Sequence, residues 1–189
     1  MDPVIADARP LPRTSQADLV DRARRGDTAA FELLLHDRLD SLFRAAWAIT
    51  GNEADARDAS QEACLSAWRQ LPRLRDVEAF DVWLNRVLLN SCRMLLRKRR
   101  RVREVAIAVD YDQIGPASDE PERFDDADAI ARALRRLDPD ARSLLVLHHI
   151  RHEPLERIAT VLGIPVGTVK WRLHAARQAL AAALDGEQR

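Results

Sequence analysis

Apolar residues recur three and four positions apart along most of this chain, and no alternating run long enough for a strand interrupts them. The spacing predicts a short helix over 17–25, ended by Gly26. A long one over 27–50 follows, with Asp27 as its N-cap and Gly51 as its stop. Within it Phe31, Leu35, Leu39, Leu42, Phe43, Ala46 and Ile49 share one face. A third helix spans 52–72 and a fourth about 78–101. After a polar interval, helices are predicted over 127–137, 140–150, 154–162 and 166–184. The fold class is therefore all-α: two small helical domains, 16–101 and 127–185, with a flexible acidic linker over 102–126. Residues 1–15, with Pro3, Pro10 and Pro12, and residues 186–189 read as mobile tails.

The charge pattern sharpens that division. Arg97, Lys98, Arg99, Arg100, Arg101 and Arg103 crowd the end of the fourth helix. Asp110, Asp112, Asp119, Glu120, Glu122, Asp125, Asp126 and Asp128 follow at once. Gly115, Pro116 and Pro121 oppose regular structure there, and the segment has too little apolar surface to fold alone. Thirty basic and thirty acidic residues cancel, which excludes a uniformly basic nucleic-acid binder but allows local patches. Cys64 and Cys92 fit neither a disulfide framework nor a zinc motif and read as buried structural thiols. The N-terminus lacks a signal-peptide core, and no apolar run reaches membrane-spanning length, so a cytoplasmic protein is expected.

Three segments carry candidate function. In LERIATVLGIPVGTVKWRLHAARQAL, Leu155, Ile158, Ala159 and Leu162 make one apolar face and Gly163 supplies a tight turn. Val169 and Leu173 pin the next helix. Thr168, Lys170, Trp171, Arg172 and His174 are left for its outer surface and edges. That is the layout of a helix-turn-helix, whose second helix fits the major groove. Arg136, Arg142, Arg151 and Arg157 on the neighbouring helices are candidate phosphate grips.

In FDVWLNRVLLNSCRMLLRKRRR, a helical wheel gathers Phe80, Trp83, Leu84, Val87, Leu88, Met94 and Leu95 on one side. Arg86, Asn90, Arg93 and Arg97 form a stripe on the other, a spacing suited to a phosphate backbone. Val82 and Leu89 also point outward on this wheel. In DARDASQEACLSAWRQL, Ala56, Ala59, Ala63, Cys64, Ala67 and Leu71 face inward. Asp55, Asp58, Glu62 and Arg69 face out around Leu65, with Gln61 at the margin, a pattern suited to protein docking.

These segments, in this order, resemble the extracytoplasmic-function sigma factors of bacterial RNA polymerase, in the sigma-70 family. The pattern DxxDxxQE (Asp55, Asp58, Gln61, Glu62), the pattern WLxRVxxN (Trp83 to Asn90) and the pattern GTVKxRL (Gly167 to Leu173) carry the resemblance. It implies a sigma-two domain that docks on the polymerase through Asp55, Asp58, Gln61, Glu62 and Leu65. It implies that the loop over 71–79, with Arg73 and Arg75, and the fourth helix, with Trp83, Arg86, Asn90, Arg93, Arg97 and Lys98, melt the promoter's minus-ten element. A sigma-four domain would read the minus-thirty-five element with Thr168, Lys170, Trp171, Arg172, His174 and Arg177. The resemblance implies no enzymatic chemistry, no cofactor and no metal. Its partners would be core RNA polymerase, promoter DNA and, as in many relatives, an anti-sigma factor. In the family the acidic linker threads the polymerase's basic channel. Three positions depart from the family pattern: Met94 stands where an aspartate is common, Cys64 where an aromatic is, and Asp138–Pro139 where Leu-Pro is.

Two other readings compete. A helix-turn-helix regulator of the response-regulator kind, acting without core polymerase, would need a strand-and-helix receiver domain in residues 1–126. A metal site would use His148 and His152, four apart, with His149 and Glu153 beside them.

Overall fold

The computed structural model describes residues 15–108 and 125–186, and among them every regular element is helical. Helix α1 (Gln16–Arg24) begins with a capping box: the Ser15 hydroxyl accepts from the Asp18 N–H, and the Asp18 carboxylate accepts from the Ser15 N–H. Asp27 caps α2 (Thr28–His36) by accepting from the Ala30 N–H.

The single helix expected over 27–50 is two helices. The chain turns at Asp37 and Arg38 before α3 (Leu39–Thr50). Neither glycine nor proline marks the break; the Arg38 side chain explains it. Its guanidinium donates to the Leu34 carbonyl (2.7 Å), to Gln16 Oε1 (2.7 Å) and to Asp81 Oδ1 (2.8 Å), and it lies over the Phe80 ring. One arginine thus caps α2 and ties it to α1 and to the start of α5, bonds that a continuous helix would forfeit.

Gly51, at φ +74°, ends α3, and Asn52 caps α4 (Glu53–Gln70) through the Asp55 N–H. Two 3₁₀ turns (Leu71–Arg73 and Val77–Ala79) lead into α5 (Phe80–Ala108), which runs past its expected end at Arg101. Ala56, Ala59, Ala63 and Ala67 are all buried, and their small side chains let α4 lie close against α3 and α5.

The second half contains α6 (Asp125–Arg136), α7 (Pro139–Leu145), α8 (Leu155–Leu162) and α9 (Val166–Asp185). Asp138 caps α7, with Pro139 at its first position, where a missing N–H costs nothing. The helix expected over 140–150 passes into a π-helical turn at Val146–Ile150. The acidic interval lies mostly outside the described residues. Its beginning, to Ala108, continues α5, and Asp125 and Asp126 belong to α6.

The two halves pack against each other. One buried apolar cluster runs from Val20 to Ala176 through both. Helix α3 meets α6, α7 and the π-helical turn, and α5 meets α8.

Candidate nucleic-acid interface

The helix-turn-helix is formed by α8 and α9. Ile158, Ala159, Val161, Val169, Leu173 and Ala176 are buried, and Gly163 makes the turn at φ +68°. A Cβ at Gly163 would meet nothing within 4 Å, so glycine is needed there for its left-handed backbone and not for space. The opposite face of α9 presents Lys170, Trp171, Arg172, His174 and Arg177, with Thr168 half-buried at its margin. Trp171 is 70% exposed, so none of its large apolar surface is used to hold this fold together. Arg177 Nε donates to His149 Nε2 across 3.4 Å. Burial, then the neighbouring His148, Arg177 and His152, hold the His149 pKa below its ordinary value, which favours the neutral ring that can accept this bond.

Two of the candidate phosphate grips are committed elsewhere. Arg142 is buried and donates to the Ile49 carbonyl of the other half (2.6 Å). Arg151 donates to Asn85 Oδ1 (2.8 Å) and to the Ser41 hydroxyl, again across the junction. Burial pulls the pKa of both guanidiniums down; the carboxylates of Asp138 for Arg142, and of Glu153 and Asp81 for Arg151, act against it. Arg136, which donates to the Ala183 carbonyl, and Arg157 remain at the surface.

Helix α5 corrects the helical wheel in three places. Met94 is 62% exposed, so the stripe of Asn90, Arg97 and Lys98 has a thioether in its midst. Leu89, expected outside, is buried, and Val82 is half-buried against the core. Val82, Arg86, Leu89 and Arg93 stand four, three and four apart on one face, and that face meets the second half. Arg86 donates to the Val161 carbonyl (3.2 Å) and to the Thr160 carbonyl, and Arg93 pairs with Asp140 (3.0 Å). Beside them, Asn85 is buried and donates to Glu153 Oε1 (2.6 Å). Sequence reasoning passed over Asn85 and placed Glu153 only beside the histidines. An amide within an apolar stretch and an acid beside three histidines were the only signals.

Trp83 is half-buried and stacks obliquely on Phe80, while Arg73 and Arg75 are exposed on the loop before α5. On α4, Asp58, Gln61, Glu62 and Leu65 share an exposed face, with Leu65 50% exposed. Glu62 accepts from Ser66 (2.8 Å) and Arg69 (3.0 Å), which holds that acid in place beside the leucine. Asp55, expected on the same face, is turned inward at 3% exposure, and Arg99 lies 2.6 Å from its carboxylate.

Among the described residues no group of three or more His, Cys, Asp or Glu side chains could hold a metal ion, and no helix is long and apolar enough to cross a membrane. Glu153, considered above as a companion to the histidines, faces Asn85 instead.

Known proteins share both the sequence and this arrangement. Residues 34–102 match the Sigma-70 region 2 family, and residues 127–180 match the Sigma-70, region 4 family. The chain is 32% identical over 162 residues to the ECF RNA polymerase sigma factor SigE of Mycolicibacterium smegmatis, covering 82% of this chain and 63% of that relative's length. It is 31% identical over 186 residues to the RNA polymerase sigma-H factor of Pseudomonas aeruginosa, covering 93% of this chain and 96% of that one. The chain belongs to the extracytoplasmic-function sigma factors of the sigma-70 family. This sigma factor is also similar to the structure of CnrH in complex with the cytosolic domain of CnrY. The two are 29% identical with a TM-score of 0.66, over 90% of this chain and 97% of that chain. The family is not one of enzymes. Its all-α fold, with one region 2 and one region 4, excludes the receiver-domain reading.

Proposed function

We propose that this sigma factor joins core RNA polymerase through α4 and reads a promoter with α5 and α9. The observation that carries the DNA-reading part is the exposed face of α9: a helix-turn-helix whose core is complete without Lys170, Trp171, Arg172, His174 or Arg177. Lys170, Trp171, Arg172 and His174 are free to meet base edges and phosphates of the minus-thirty-five element, and Arg177 joins them by leaving His149. On the minus-ten side, Arg73 and Arg75 on the loop and Asn90, Arg97 and Lys98 on α5 offer donors and charge to a melted strand. Arg86 and Arg93 join them once they leave their partners in the second half. Melting costs a few kcal/mol, and capture of an extruded base near Trp83 offsets part of it.

Docking on the polymerase falls to Asp58, Gln61, Glu62 and Leu65, an apolar knob among acids and an amide. Asp55 supports that helix from inside. The acidic residues Asp119, Glu120, Glu122, Asp125 and Asp126 act on the polymerase's basic channel where nucleic acid would lie. Inhibition by a second protein is also part of this reading, since CnrH was solved with a bound domain of CnrY.

Run-off transcription with core polymerase on the protein's own promoter tests the whole reading. Specific transcripts are expected only when both are present. No binding to core polymerase would sink it.

A further inference from the structure

Where α3 meets α6 the surface carries a cleft that belongs to none of the faces assigned above to DNA or to the polymerase. It holds about 250 Å³ and opens between Trp47 and Ala48 of α3, Ile130 and Leu134 of α6, and Ile150 of the π-helical turn. Trp47 is 42% exposed and Ile130 49%, so two large apolar side chains stand at its rim. Contiguous exposed apolar surface is the mark of a binding site, as scattered single residues are not.

The charged groups lining the cleft are of one sign. Arg44 lines it from α3 and Arg135 from α6. Both side chains are exposed, and among the described residues neither pairs with a carboxylate. The stem of Arg135 crosses Gly51 so closely that a Cβ there would stand 2.6 Å from its Cγ, and Arg142 Nη1 would lie 3.6 Å from the same point. Gly51 thus ends α3 and also makes room for a second helix's arginine. Arg142 is buried, and its Nε has no hydrogen-bond partner among the described residues. Burial lowers the Arg142 pKa and the charge of Arg135 lowers it further, against Asp138. Positive charge is therefore crowded at the Gly51 end of an apolar cleft, and an anion placed there relieves it.

We propose that this cleft binds a small amphipathic carboxylate: its apolar chain lies against Trp47, Ile130 and Ile150, and its carboxylate meets Arg135 beside Gly51. Arg44, at the other end of the α3 wall, adds a weaker attraction through its charge. From Arg44 to Gly51 the wall is about two helical turns long, roughly 10 Å, which suits an apolar body of about eight carbons. The volume lies just below the range of about 300–1,000 Å³ typical of drug-sized ligands, so a larger occupant does not fit. Helix α3 belongs to the first half and α6 to the second, so the bound carboxylate touches both. Thermal stability of the chain should then rise with ligand concentration.

The test uses the full chain and octanoate at concentrations below micelle formation, with octan-1-ol as the uncharged control. Isothermal titration calorimetry should show saturable binding of one octanoate per chain, and binding of octan-1-ol at least about tenfold weaker, the usual size of losing a charge-assisted hydrogen bond. In nitrogen–proton correlation spectra, octanoate should shift the Trp47 indole N–H and the Gly51 amide. Two variants probe the two ends of the ligand. Arg135→Gln removes the cation, and Ile130→Glu sets an acid in the apolar wall; both side chains are exposed, and circular dichroism establishes that each variant is folded. Either folded variant should weaken octanoate at least about tenfold, and Arg135→Gln should leave octan-1-ol unchanged. No saturable octanoate binding, equal binding of octan-1-ol, shifts confined to residues away from the cleft, or full octanoate affinity in a folded variant each overturns the proposal.

Discussion

Arg99 of α5 lies 2.6 Å from the carboxylate of Asp55, and Asp55 is buried where α4 meets α5. The first acid of the proposed docking motif thus points away from the proposed docking face and fastens the basic end of α5 to the helix that carries the motif. Asp55→Ala should cost about 1–3 kcal/mol of stability, the usual range for breaking a buried polar contact, and leave polymerase affinity nearly unchanged in the fraction that is folded. Urea unfolding and a competition assay with core polymerase check the two halves of this expectation. A large loss of affinity without loss of stability would return Asp55 to the docking surface.

Asp58 and Leu65 should behave in the opposite way. Both side chains are exposed, so Asp58→Arg and Leu65→Asp should shift stability by no more than about 0.5 kcal/mol. Each should weaken binding to core polymerase by about tenfold or more, the usual signature of an interface anchor. Surface-plasmon measurements beside thermal melts give both readouts.

Arg172 stands on the open face of α9 and has no structural bond to lose. Arg172→Ala should cost about 1–3 kcal/mol of affinity for a minus-thirty-five duplex if it reads a base. If it contacts phosphate, binding should weaken equally on all sequences and the salt dependence should flatten. Titrations on matched and scrambled duplexes at two salt concentrations distinguish these roles, and polymerase binding should be intact in either case.

Acid should loosen the joint between α1, Arg38 and α5. Burial raises the pKa of Asp81, but the bonds from Arg38 and Gln16 and the charges of Arg38 and Arg151 outweigh it, so the pKa lies below the ordinary 3.8. An acid with a depressed pKa stabilises the fold above its unfolded-state pKa, and that contribution is lost as pH falls through the lower folded value. Asp81→Asn should therefore cost more stability near pH 6 than near pH 3. Denaturant midpoints at the two pH values test it; an equal loss at both would assign the effect to packing.

Neither thiol should serve as a redox switch in the folded protein. Burial, the largest influence, pushes Cys92 up to about 12 and also raises Cys64, so thiolate is scarce at both. Reaction with a colorimetric disulfide reagent at pH 8 should be slow at Cys64 and slower at Cys92, and should accelerate on unfolding.

Local rules made much of this legible. Caps at Asp27 and Asn52, stops at Gly51 and Gly163, and the apolar spacing of α4 and α8 are written within a few residues of where they act. What escaped depends on distant partners. The break at Asp37 and Arg38 exists because Arg38 reaches Gln16 and Asp81, 22 and 43 positions away. Asp55 turned inward because the register of α4 against α5 brought Arg99 to it. Val82 and Leu89 join the one apolar cluster that runs through both halves, and the wheel of one helix has no term for a second domain. Arg142 and Arg151 looked like surface bases for the same reason; their acceptors, the Ile49 carbonyl, Asn85 and Ser41, lie in the other half.

The bonds from Arg86 to the last carbonyls of α8 reach the element that turns at Gly163 into the recognition helix. A displacement of either basic helix is therefore transmitted to the other through α8, a lever of eight residues that ends in one left-handed turn.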